Sequence, residues 1–118
     1  MKILIVEDEG ILRFFLKNFL NKSGLDFEII EADDGQSAID KFESNSDSID
    51  LIITDIKMPN MNGVEFIKKV RELNKKVPIL IESGLRDQEF EDVKSEVDGV
   101  IKKPIEPSEV VTFINKYI

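Results

Sequence analysis

Four apolar runs in this chain end beside side chains that can do chemistry. Glu7 and Asp8 follow KILIV, Asp55 follows DLIIT, Ser83 lies just past VPILI, and Lys103-Pro104 follows DGVIK. A carboxylate delivered by an apolar run is costly unless a partner neutralises it, so Asp55 asks for a compensating charge. If the run ends converge, three carboxylates, one hydroxyl and one ammonium share a crevice, and three negative charges against one positive leave a formal −2. One divalent cation balances that charge. Mg2+ suits the set, because it takes a few carboxylates and keeps several waters. Each residue alone has a plainer use: acids after a strand cap helices, Ser83 fits a turn, and Lys103 fits a solvated surface. Capping does not account for compatible polar groups at four run ends.

The elements that must position these groups are legible as alternating patterns. KILIV at 2–6, FEII at 27–30, DLIIT at 50–54, VPILI at 77–81 and DGVIK at 98–102 are strand-like, and the first, third and fourth are nearly continuous Val, Ile and Leu. That is the pattern of parallel strands covered on both faces. Segments of helical period lie between and after them: 10–22 with Ile11, Leu12, Phe15, Leu16, Phe19 and Leu20 on one stripe, then 36–44, 63–73, 86–96 and 107–117. The segment 86–96 offers mainly Phe90 and Val93 among charges, so it is expected to be the least firmly packed helix. Strands alternating with helices give an α/β fold with an open parallel sheet and helices on both faces. Ligands of such sheets bind beyond the carboxyl ends of the strands.

Composition narrows the chemistry. At 118 residues the chain suits a single domain, 1–118, and no apolar run approaches the roughly 20 residues of a membrane span. Met1 opens directly onto a strand-like pentad rather than a signal peptide, and cytoplasmic localisation is the expectation. No cysteine and no histidine means no disulfide, no thiolate site, and neither the usual zinc ligand nor the usual general base. A net charge of −8 argues against direct nucleic acid contact, which needs Lys and Arg on phosphates.

VED at 6–8, TDIKMPNMNG at 54–63, PILIESG at 78–84 and KKP at 102–104 together resemble the receiver domain of two-component response regulators over the whole chain. The resemblance implies a flavodoxin-like (βα)5 three-layer sandwich with strand order 2-1-3-4-5. It implies a phosphorelay signalling switch rather than an enzyme, doing no more than self-phosphorylation and autodephosphorylation. Asp55 would be the phosphoacceptor, with Ser83 hydrogen-bonding a phosphoryl oxygen and Lys103 contacting it. Asp8, Asp55 and the backbone carbonyl of Lys57 would ligate Mg2+, with Mn2+ as a substitute, and Glu7 would act through water. The Lys103-Pro104 bond would be cis. Implied partners are a sensor histidine kinase or histidine phosphotransfer protein and a downstream effector domain or protein. The fourth helix, fifth strand and fifth helix would form the output face, which also serves phosphorylation-linked homodimers.

Three features depart from that pattern or add to it. Val100 stands where the family usually has Tyr or Phe three residues before the lysine, so the usual aromatic toggle is absent. Lys57 and Leu85 flank the expected path of hydrolytic water and are expected to tune phosphoryl lifetime. If Ser83 and Lys103 face the site, strand alternation puts Glu82 and Lys102 together on the opposite face, where they should pair. A haloacid-dehalogenase-type phosphatase would need an acid where Lys57 stands, while a phosphorylation-independent interaction module of the same fold remains the alternative function.

Overall fold

Pro78 lacks an N–H, so a ladder of β hydrogen bonds starts after it, and the strand that follows runs Ile79–Ser83 rather than 77–81. The computed structural model describes residues 1–84 and 90–118. Within them the order is β1 (Lys2–Val6), α1 (Gly10–Asn21), β2 (Glu28–Ala32), α2 (Gly35–Ser44), β3 (Leu51–Asp55), α3 (Gly63–Leu73), β4 (Ile79–Ser83), a 3-10 helix (Glu91–Glu96), β5 (Gly99–Lys102) and α4 (Pro107–Asn115). The strands form one parallel sheet in the order β2-β1-β3-β4-β5, the flavodoxin-like arrangement expected.

The pleat sorts the core into two layers. Leu4, Val6, Ile52, Ile79 and Ile81 face α2, α3 and the 3-10 helix, joined by Phe42, Phe66, Phe90 and Val93. Ile3, Ile5, Leu51, Ile53, Leu80 and Ile101 face α1 and α4, joined by Leu16, Leu20, Phe113 and Ile114. Asp34 starts α2, accepting from the Ser37 N–H at 2.7 Å, and Asn62 starts α3, accepting from the Glu65 N–H at 2.9 Å. Such caps satisfy orphan amide donors of a first turn. Of the expected segment 86–96, residues 86–89 lie outside the described residues, Glu91–Glu96 is a 3-10 helix, and its two apolar residues, Phe90 and Val93, are firmly packed.

The α1 stripe divides instead of burying as one surface. Leu16 and Leu20 are buried, whereas Ile11 is 85% exposed, Phe15 54% and Phe14, off the expected stripe, 64%. The first turns of α1 line a groove with Lys103, Pro104 and Ile105 instead of resting on the sheet. At the other edge Phe113 packs on Gly99, where a Cβ would come within 2.9 Å of the ring, and Tyr117 stands 5.2 Å from Phe113 between ring centroids.

Arg71 fastens the entry to the last strands. Its Nε donates to the Glu96 carbonyl at 2.8 Å and its Nη1 to the Val77 carbonyl at 2.8 Å. Asp98 pairs with Arg71 at 3.4 Å and also accepts from the Ile79 N–H at 2.9 Å. None of the helices described is long and apolar enough to cross a membrane.

Candidate functional site

In this sheet order the connection after β1 leads to β2 on one side and the connection after β3 leads to β4 on the other, and a crevice opens where the two diverge. Glu7 and Asp8 come from the end of β1 and Asp55 is the last residue of β3. Their carboxylates offer oxygen atoms that all lie within 4.8 Å of one another. Lys103, just beyond β5, reaches in from the far side. Its Nζ lies 2.8 Å from Asp55 Oδ2 and 3.0 Å from Glu7 Oε1. The Lys103-Pro104 peptide bond is cis, as expected.

All of these groups are held except Asp8, which is exposed. Asp55 is 6% exposed; its Oδ1 accepts from the Ile56 N–H at 2.7 Å while Oδ2 takes Lys103. Glu7 is fully buried, and its Oε2 accepts from the Glu9 N–H at 3.1 Å. Burial raises the Glu7 pKa above its ordinary value despite hydrogen bonds that favour the charge. For Lys103 burial works against the charged form, but the hydrogen bonds to Asp55 and Glu7 outweigh it and the pKa is raised. Ser83 is buried at the end of β4, and its carbonyl accepts from the Lys103 N–H at 2.9 Å.

The turn after Asp55 is fixed from two directions. Gly63 returns so close that a Cβ would lie 2.2 Å from the Asp55 carbonyl oxygen, and its N–H donates to the Ile56 carbonyl at 2.7 Å. Asn60, with φ of 65°, donates from its side chain to Asp34 at 2.6 Å. Lys57 lies in this turn with its side chain exposed. Its expected companion in tuning phosphoryl lifetime, Leu85, lies outside the described residues.

Glu82 corrects the sequence reading. The register pairs Ser83 with Lys102 and Glu82 with Ile101, so Glu82 shares a face with Ile101 and the site rather than with Lys102. It is 2% exposed and forms no ion pair with Lys102 among the described residues. Its carboxyl neighbours that of Glu7 instead, and its Oε2 has no partner among the described residues. Burial, with the neighbouring Glu7 carboxylate, pushes its pKa up to about 9. The sequence error was one of parity. Ser83 and Lys103 were assigned to a common face, but they are one step out of register. Strand register was the missing signal.

Hard oxygen donors from Glu7, Asp8 and Asp55, with Lys103 supplying only one positive charge, fit a divalent cation such as Mg2+. Softer metals have no thiolate or imidazole to bind in this chain.

An open parallel sheet with this crevice is the architecture of the response regulator receiver domain, whose family model matches residues 3–115; the chain belongs to that family. It is 33% identical over 118 residues to the chemotaxis protein CheY of Thermotoga maritima, covering 98% of this chain and 95% of that one. Chemotaxis protein CheY1 of Helicobacter pylori is 36% identical over 111 residues, 91% of this chain and 88% of its own. A response regulator receiver domain from Clostridium thermocellum superposes with a TM-score of 0.89 at 26% identity, covering 99% of this chain and 93% of the other. This is a receiver of the two-component, CheY-like kind, and such domains are signalling switches rather than classical enzymes.

Proposed function

We propose that this receiver works as a Mg2+-dependent phosphorylation switch in which Asp55 accepts a phosphoryl group from a phosphohistidine of a partner kinase or phosphotransfer protein. The observation that carries the reading is the Asp55 carboxylate itself, fixed at a strand end by the Ile56 N–H and the Lys103 ammonium beside Glu7 and Asp8. A positioned carboxylate nucleophile needs no general base, which fits a site without histidine.

One Asp55 carboxylate oxygen attacks phosphorus as the phosphorus–nitrogen bond of the donor breaks, and the imidazole leaves with the bonding electron pair. Lys103, already against the Asp55 carboxylate, stabilises negative charge on the transferring oxygens. The Ser83 hydroxyl then donates to a phosphoryl oxygen. Asp8, Asp55 and the Lys57 carbonyl would hold Mg2+, or Mn2+ in its place, with Glu7 acting through water. When bound, that cation supplies charge neutralisation at the phosphoryl oxygens. Lys57 tunes the lifetime of the product by shielding it from water.

The apolar groove of Ile11, Leu12, Phe15, Pro104 and Ile105 includes Lys103 and therefore borders the nucleophile, which supports a docking place for the donor's helices. Loading Asp55 alters the surface around β5, α4 and the 3-10 helix, the output face toward an effector and toward a second copy of the chain. With Val100 at 38% exposure in place of an aromatic toggle, the Ser83 strand end carries the signal.

The test is incubation with Mg2+ and acetyl phosphate. An acid-stable, base-labile phosphoryl adduct that Asp55→Asn abolishes is the expected result; no adduct on either protein would favour the phosphorylation-independent module.

A further inference from the structure

The acidic pair after β1 is gripped on its outer side by a cation that the chemistry above does not use. Arg13, in α1, donates from Nη1 to the Glu7 backbone carbonyl at 2.5 Å and from Nε to Glu31 Oε1 at 3.2 Å. Glu31 belongs to β2 and is held in turn by Lys17, whose Nζ lies 2.9 Å from Oε2, and by Lys41, which donates to its backbone carbonyl. Hydrogen bonding from Lys17, ahead of Arg13, keeps the Glu31 carboxyl below its ordinary range, so both oxygens remain charged acceptors. We infer that Arg13, oriented by Glu31, is a positioning residue that sets the direction in which Glu7 and Asp8 present their carboxylates to a divalent cation.

The geometry explains why a grip at this point matters. The Glu7 N–H donates to the Ala32 carbonyl at 3.0 Å, and Arg13 takes the Glu7 carbonyl, so β2 and α1 fix the peptide groups on both sides of Glu7. The Glu7 side chain has its own restraints in Lys103 and the Glu9 N–H. Asp8 has none: it is exposed, and among the described residues nothing hydrogen-bonds its carboxylate. Its direction therefore follows from the backbone that Arg13 holds. A guanidinium suits the task because its donors form a rigid plane, so fixing Nε on Glu31 fixes where Nη1 points. Glu31 also neutralises the Arg13 charge next to a site that has to attract a cation.

This inference rests on Glu7, Asp8 and Asp55 being the cation site, and one titration separates the two claims. Mn2+ is added to the full chain and the free ion is followed by electron paramagnetic resonance, alongside the thermal midpoint of each protein. Wild type is expected to bind Mn2+ and Asp8→Asn to lose that binding; absence of wild-type binding would overturn the site itself, and this inference with it. Arg13→Met is expected to weaken Mn2+ binding roughly ten- to a hundred-fold, the usual cost of losing an outer-shell partner. Glu31→Gln should weaken it less, and Arg13→Lys, which reaches the carbonyl without the rigid fork, should fall between wild type and Arg13→Met. A lowered midpoint with wild-type Mn2+ affinity in Arg13→Met overturns the inference and leaves Arg13 a helix fastener. Should Arg13→Met not fold, unchanged affinity in Arg13→Lys and Glu31→Gln together overturns it equally.

Discussion

Lys103 holds two buried carboxylates with one ammonium, and that economy sets what its loss would do. Lys103→Met leaves Glu7 and Asp55 facing each other without compensation, and removing one member of a buried ion pair is strongly destabilising, on the order of 3 kcal/mol. Chemical denaturation in chelator should show that loss, and Mg2+ should recover part of it. Glu82 makes a different prediction, with its sign fixed by linkage. Its folded pKa of about 9 lies above an unfolded value of about 4.3, so the folded chain keeps a proton that the unfolded chain has released. Stability from this group is complete below the unfolded value and drains away as pH climbs through about 9. Glu82→Leu should flatten that slope and, by removing a buried oxygen with no partner among the described residues, add about 1 to 3 kcal/mol at pH 8. Urea midpoints at pH 5, 7 and 9 without divalent ions check it; parallel slopes in the two proteins would refute the protonated-acid account. Glu7, Asp8, Asp55, Ser83 and Lys103 could be picked from the chain as candidates because acids, Ser and Lys next to apolar runs are conspicuous, whereas Lys57 came from the family resemblance alone. Glu82 was misassigned because which face a strand residue occupies depends on the register with its neighbour, and register is a tertiary fact.

Among the elements, α1 is the one whose pattern misleads. A helical stripe of six apolar residues reads as a buried face, but only the later part of it meets the sheet, and Ile11 and Phe15 stand out beside Pro104. Removing exposed apolar side chains seldom changes stability by more than about 0.5 kcal/mol. Ile11→Ala combined with Phe15→Ala should therefore leave the thermal midpoint and the acetyl phosphate adduct at Asp55 nearly unchanged, while slowing transfer from a phosphorylated histidine donor. Equal slowing with both donors would place the defect in the site rather than in docking. The parallel strands β1 and β3 were readable to within one residue, since fully buried strands carry uninterrupted Val, Ile and Leu. β4 slipped by two because Val77 and Pro78 look like strand residues, yet the proline offers no donor and the Val77 carbonyl is taken by Arg71.

At the scale of the molecule, binding a cation to the folded state alone must raise stability by mass action, by about 2.7 kcal/mol when the ion is at a hundred times its dissociation constant. Thermal midpoints should rise with Mg2+ in wild type and stay flat in Asp8→Asn. At the sheet's other end Arg71 joins α3, the 3-10 helix and the starts of β4 and β5 through one guanidinium. Arg71→Ala strands several carbonyls and the Asp98 carboxylate, and should destabilise the whole chain by about 1 to 3 kcal/mol without touching Mn2+ affinity. The Tyr117–Phe113 pair offers something else. A chain with no tryptophan and a single tyrosine has one useful near-ultraviolet emitter, and here it leans on a ring seated against Gly99 of the edge strand. Unlabelled protein thus carries its own optical gauge on the face opposite in role to the nucleophile. Its emission should shift when Mg2+ and acetyl phosphate are added together, and stay still when Asp55 is asparagine.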